Sequence, residues 1–169
     1  EWIIAAVGLG ASLMDQGDYS SGRNWIFKAN SSISDEITLE LQAYVKSNVG
    51  WVYNSYKDYQ ESNSHYKQAL ALAKESGDQY RIAQVSNSIS IVSRILGHYD
   101  EAINYAKIAV ENFETINDPF LLSLAYVNQA NAYEVLGFTE KSEASLLEAL
   151  AIRKKIQNED LITTNYYFL

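Results

Sequence analysis

Carboxamide and hydroxyl side chains recur in this chain at a spacing of 40 residues: Asn48, Ser88 and Asn128, with Asn54, Asn87 and Asn131 beside them. Their chemistry is hydrogen bonding, each asparagine offering two N–H donors and one acceptor oxygen. Asparagine forms helices poorly, so a periodic row of it on helices needs a reason outside the helix. Side chains for reactive chemistry are scarce. There are two histidines, His65 and His98, and no cysteine. No HExxH pair, no set of paired metal ligands and no nucleophile-elbow sequence occurs. His98 takes the turn position that Asp18 and Asp58 hold earlier in the period and reads as a surface residue. The acidic pairs Asp35–Glu36 and Asp100–Glu101 fall where helices are expected to begin, a place that favours negative charge through the helix dipole. No catalytic residue, metal site or cofactor is expected in this segment.

The row must be positioned by elements that share its period. Ala29, Ala69, Ala109 and Ala149 stand 40 residues apart, and twelve positions before each come Gly17, Lys57, Gly97 and Gly137. A further set of small residues, Gly22, Ser62, Ala102 and Ser142, keeps the same register, followed four positions later by Ile26, Tyr66, Ala106 and Leu146. A period of this length without insertion signals a repeat architecture. Each unit reads as two amphipathic helices. In the third, Asp78 caps a helix running to about residue 96, Gly97-His98 breaks it, and a second helix runs from about 99 to 116. Asp118-Pro119 then opens the next unit with a capping carboxylate and a proline at the first helical position. The small positions allow a neighbouring helix to approach closely while the larger residues fill the space beside it. The expected fold is all-α: an α-solenoid of stacked antiparallel helix pairs rather than a plain bundle. The units are expected at about 1–37, 38–77, 78–117 and 118–157, with 158–169 starting an incomplete fifth, the whole forming one array.

These features resemble the tetratricopeptide repeat, whose signature runs from an aromatic through Leu-Gly-x-x-Tyr to Ala-x-x-x-Phe. The matching residues are Val49-Gly50-Trp51-Val52-Tyr53 with Ser62 and Tyr66, Gly97-His98-Tyr99-Asp100-Glu101-Ala102, Ala132-Tyr133 with Leu136-Gly137, and Leu9-Gly10 with Gly17-Asp18-Tyr19. The departure is the 40-residue unit, longer than the common one of about 34 residues. Long units of this kind resemble those of kinesin light chains, spindle-orientation adaptors, bacterial peptide-sensing regulators, and arrays attached to sensor kinases and nucleotide cyclases. The resemblance implies a right-handed superhelix whose first helices line a concave groove. It places Tyr44, Asn48, Trp51 and Asn54 in that groove from the second unit, with Ser47 and Ser55. The third unit contributes Gln84, Asn87, Ser88 and Arg94, and the fourth Asn128, Asn131 and Glu134. The first contributes the more apolar Ile4, Val7, Ala11, Met14 and Asp15.

Two readings of the asparagines are open. In one, they hold the backbone of an extended peptide, with Tyr44 and Trp51 as apolar anchors. In the other, they are solvated or bonded to adjacent helices, and Trp51 belongs to the core. A carboxylate clamp is excluded, because it needs Lys or Arg on successive groove helices. In one register those places hold Val7, Ala11, Gln84 and Ser88, with only Asn48 fitting; the next register supplies Ser47, Trp51, Ser88, Leu124 and Asn128.

Composition narrows the partners. Thirteen basic against 21 acidic residues give a net charge of −8, without a basic run, so nucleic acid is not an expected partner. No apolar stretch approaches the length of a membrane span. The start at Glu1, without Met, is expected of a segment of a longer protein, and Tyr166-Tyr167-Phe168-Leu169 leaves an apolar end that either continues or docks. The expected function is a protein- or peptide-binding scaffold, the interaction or sensory region of a larger bacterial-type regulatory protein. The alternative is a self-assembly module that oligomerises a neighbouring output domain through the exposed array end. The cytoplasm is the expected compartment, with a periplasmic sensor region as the alternative, since absence of cysteine fits both.

Overall fold

The first helices of the second, third and fourth repeats start at side chains that accept from an otherwise unpaired backbone N–H. The structure, a computed structural model, describes residues 1–34, 36–158, 160 and 161. Among them are eight helices and no strand: α1 (Trp2–Asp15), α2 (Tyr19–Ser31), α3 (Leu39–Ser55), α4 (Tyr59–Ser76), α5 (Gln79–Ile95), α6 (Tyr99–Ile116), α7 (Pro119–Glu134) and α8 (Thr139–Lys155). The cap oxygens of Thr38, Asp78 and Asp118 accept from the amides of Leu41, Arg81 and Leu121 at 3.4, 2.9 and 3.0 Å. Asn158, 40 residues after Asp118, accepts from Leu161 in the same way at 3.1 Å. The capping position thus recurs with the period, each cap satisfying one of the orphan donors of a first helical turn. The incomplete fifth unit expected beyond falls largely on 162–169, outside the described residues.

The turns inside the pairs have a second periodic requirement. Gly17, Gly97 and Gly137 adopt φ of +88°, +81° and +73°, and Lys57 in the same register adopts +63°. A left-handed residue ends a helix cheaply only when it lacks a Cβ, so Lys57 carries a strain that its three counterparts do not.

The chain divides into two compact units, Glu1–Arg81 and Ile82–Leu169. In the first, α1 packs on α2, α2 on α3 and α3 on α4. Its core gathers Ile3, Val7, Met14, Ile26, Val45, Val49 and Val52, every third or fourth residue of the facing helices. Two crossings are too close for ordinary side chains. A Cβ on Gly22 would lie 2.6 Å from the Gly10 carbonyl oxygen and 2.4 Å from Met14 Cγ. One on Gly50 would lie 2.7 Å from the ring of Tyr66, and the Ser62 hydroxyl donates to the Gly50 carbonyl at 2.9 Å. The small positions 22 and 62 therefore meet the small positions 10 and 50, and the fully buried Ile26 and the buried Tyr66 fill the space beside them.

In the second unit α7 packs on α6 and α8. Ala83, Ala109, Val110, Phe113 and Ala125 form one cluster joining α5, α6 and α7, and Ala102, Ile103, Ala132 and Tyr133 form another between α6 and α7. At its far end Arg153 of α8 is buried, its Nε donating to the Ser123 hydroxyl at 3.3 Å and its guanidinium to the Leu161 carbonyl at 3.0 Å.

His65 of α4 stacks on Tyr53 of α3, with centroids 5.3 Å apart and planes 8° from parallel. Burial pushes its imidazolium below the usual range, and the charge of Lys46 adds to this, against Glu61. The folded chain therefore resists protonation that the unfolded chain accepts.

Three substitutions test this packing and its turns by denaturant midpoint. Gly22→Val is expected to destabilise by about 1–3 kcal/mol or more through overpacking. Lys57→Gly is expected to stabilise by about 0.5–1 kcal/mol, and Gly97→Ala to cost about as much. A pH series gives an independent check. Because the folded pKa of His65 lies below the unfolded one, its contribution is complete above about pH 6.5 and declines as pH falls through that value. His65→Gln should flatten the fall in melting temperature between about pH 7 and 5 relative to the parent chain; an unchanged slope removes His65 as its source.

Candidate functional site

On an α-helix, residues at i, i+4 and i+7 share a face, so 44, 48 and 51 form one stripe on α3, as 84, 88 and 91 do on α5 and 124, 128 and 131 on α7. In the first unit, Tyr44, Asn48, Trp51 and Asn54 are all half-buried on α3. Tyr44 and Trp51 pack against the apolar core with part of each ring left to solvent. The Tyr44 carbonyl accepts two side-chain donors, the Ser47 hydroxyl and the Asn48 amide, both at 2.8 Å. Asn48 thus commits one amide hydrogen to its own helix. Ser55 does the same with the Trp51 carbonyl at 3.0 Å. The Arg81 guanidinium lies 4.9 Å from the centre of the Tyr44 ring, within cation–π range. Arg81 escaped the sequence reading; its one signal is a cation at the position that holds Leu41 and Leu121 in the other units.

In the second unit, Gln84, Asn87, Ser88 and Arg94 are half-buried on α5, and Asn128 and Asn131 are half-buried on α7. Glu134 is exposed. The structure brings two of these residues together across helices: Asn128 Nδ2 donates to Asn87 Oδ1 at 2.9 Å. This bond leaves the Asn87 amide hydrogens and the Asn128 oxygen without a partner among the described residues. A linked carboxamide pair with both a donor and an acceptor still to place matches a peptide group, which presents one of each. Ser88 instead bonds the Gln84 carbonyl of its own helix at 3.1 Å.

The first pair departs from the expectation. Val7 and Met14, assigned to the groove, are core residues at 0% and 2% exposure. Met14 turns inward because Gly22 offers no side chain, so its thioether stem fills the gap beside that residue. Ser47 is also buried, its hydroxyl bonded within α3. Ile4 and Asp15 remain exposed. Among the described residues, no three or more His, Asp or Glu side chains converge where a metal ion would sit. No helix of the described residues is long and apolar enough to cross a membrane.

Antiparallel helix pairs repeated in a 40-residue register define an all-α solenoid of the helical-repeat class. Residues 38–115 match the tetratricopeptide repeat model. Over residues 38–115 the chain carries tetratricopeptide repeats, a protein-interaction scaffold motif. Among curated proteins it is similar to the cell division cycle protein 16 homolog of Mus musculus, 23% identical over 112 residues. That stretch is 64% of this chain and 17% of the relative, so the chain spans about a sixth of that protein's length. Among solved structures, aspartyl phosphate phosphatase F from Bacillus subtilis superposes with a TM-score of 0.85 at 16% identity, over 99% of this chain and 45% of that one. BtubC (BKLC) from P. vanneervenii gives 0.76 at 17% identity, over 95% and 70%. At these identities the likeness is one of fold.

The α5–α7 amide bridge yields a direct test. Asn87→Ala removes the acceptor of Asn128 and is expected to cost about 0.5–1.5 kcal/mol in urea unfolding. Asn131→Ala, whose side chain makes no hydrogen bond among the described residues, should cost clearly less. Equal losses would show that the bridge does not hold the two helices.

Proposed function

We propose that the chain is a protein-interaction module that holds an extended peptide segment against the first helices of its pairs, as part of a larger regulatory protein. The observation that carries this reading is the Asn87–Asn128 pair, half-buried, fixed by its own hydrogen bond, and with a donor and an acceptor left without a partner among the described residues. Backbone recognition by neutral amides suits a segment of net charge −8, which would repel acidic partners if it relied on charge alone. Within the first unit, Tyr44 and Trp51, each partly exposed over the core, offer flat apolar ground on the same helix as Asn48. The bacterial source of one fold neighbour, aspartyl phosphate phosphatase F from Bacillus subtilis, is the ground for reading the larger protein as bacterial-type.

A second reading has an observation of its own. Trp2, Ile4 and Leu9 of α1 are 45%, 55% and 44% exposed. That apolar surface favours self-association, and a concentration-dependent sedimentation coefficient lost in Leu9→Lys would identify it as a contact between copies.

The peptide reading is tested with a sequence selected from a random peptide display library on the intact chain. Titration of that peptide against Asn87→Ala and Asn128→Ala should show losses of about 0.5–1.5 kcal/mol each, with melting temperature accounted for separately. Affinity should change little between low and high salt, because the second unit's stripe carries only Arg94 and Glu134 as charges. Undiminished binding by both variants would place the peptide elsewhere and leave self-assembly as the leading reading.

A further inference from the structure

The first unit holds a small pocket at the end of α3 that uses none of the asparagines. Arg23, Phe27, Val52, Tyr53, Tyr56 and Asp58 line about 230 Å³ between the start of α2, the last turns of α3 and the turn into α4. The Arg23 guanidinium lies 5.3 Å from the centre of the Phe27 ring and 5.5 Å from that of Tyr56. Phe27 in turn lies 5.6 Å from Tyr53, which His65 backs from α4. The exposed Arg23 guanidinium thus lies against two aromatic rings, and among the described residues no carboxylate or carbonyl accepts from its N–H groups. A guanidinium beside aromatic rings with its donor edge open to solvent can receive a carboxylate. Asp58 supplies the opposite charge on the same pocket, its Oδ1 accepting from the Glu61 amide only at 3.5 Å. The other lining residues, Phe27, Val52, Tyr53 and Tyr56, are apolar or aromatic. The volume falls below the roughly 300–1,000 Å³ of pockets that enclose drug-sized molecules, so the ligand is smaller than those.

We propose that this pocket binds a free α-amino acid with an apolar side chain, its carboxylate on Arg23, its ammonium at Asp58 and its side chain against Phe27, Val52 and Tyr53. Charge complementarity selects the zwitterion: an anion alone meets Asp58, and a cation alone meets Arg23. The inference is independent of the peptide reading and survives or fails without it.

The test titrates L-phenylalanine into the intact chain and follows backbone amide shifts. Saturable shifts are expected at Val52, Tyr53 and Tyr56 and not at Gly97 of the second unit. N-acetylphenylalanine and phenylalanine amide, each lacking one charge, should bind about tenfold more weakly or worse. Arg23→Gln should give a comparable loss. Asp58→Asn should do likewise while still capping α4, since asparagine caps as well as aspartate. Should Arg23→Gln fold poorly, Arg23→Lys keeps a charge without the forked donor edge and should still weaken binding. Absence of saturable shifts with phenylalanine overturns the proposal. So does N-acetylphenylalanine binding as tightly as phenylalanine, which would mark the pocket as a site for chain ends. Full affinity in a folded Arg23 variant overturns it as well.

Discussion

The close crossing of the two helices in a pair is the constraint on which the rest of the fold depends. At Gly10 and Gly22 backbone lies against backbone with no room for a further carbon, and at Gly50 the Tyr66 ring and the Ser62 hydroxyl take the space that a side chain would need. That contact sets the distance between the helix axes, and side chains four residues on must then fill what remains. Ile26 does so beside Gly22, and Tyr66 beside Ser62. A serine at the crossing brings a polar atom into the core, and the Gly50 carbonyl satisfies it by accepting its hydroxyl. A pair with one defined spacing can be repeated only if its crossing residues recur at the same place, so the small residues 22, 62, 102 and 142 keep one register.

On α3, fixed crossings leave one stripe only partly engaged in packing. The helix must still bury one face, as Val45, Val49 and Val52 do on α3. The stripe through 44, 48 and 51 then carries residues chosen for other reasons. Tyr44 and Asn48 show the compromise: part of each side chain supports the helix, through core contact or a bond to a backbone carbonyl, and part remains available. In the second unit, Asn87 and Asn128 reach the same balance by bonding each other.

Much of the architecture was legible because it rests on backbone requirements that few residue types meet. Capping oxygens at 78 and 118, a left-handed residue at 97 and small residues at 22 and 62 each leave a mark in the sequence. The helix expected at 99–116 spans those residues, and the one expected from Asp78 to about 96 runs from 79 to 95. What depends on side-chain direction was less legible. Met14 stands where the later units carry Asn54, Arg94 and Glu134, and only the missing side chain at Gly22 turns it inward. The bond between Asn87 and Asn128 joins residues 41 apart, and nothing in either local sequence distinguishes it from a bond to the residue's own helix, as Asn48 makes. The pocket at Arg23 has no period at all. Its aromatic residues come from two helices whose juxtaposition only the fold reveals.

Neutral amides on a half-buried surface have an energetic logic of their own. A charged side chain at such a place must be desolvated when a partner covers it, at a cost that its new ion pair often fails to recover. A carboxamide loses less on desolvation and regains it with any backbone that supplies one donor and one acceptor. Linking two of them, as α5 and α7 do, also fixes their orientation before a partner arrives, which lowers the entropy lost on binding. Such a surface reads main chain rather than sequence, so discrimination among segments falls to the apolar side chains beside the amides. On α3 those are Tyr44 and Trp51, and their rings are already held by the core, so the shape they present is set by folding and not by the ligand.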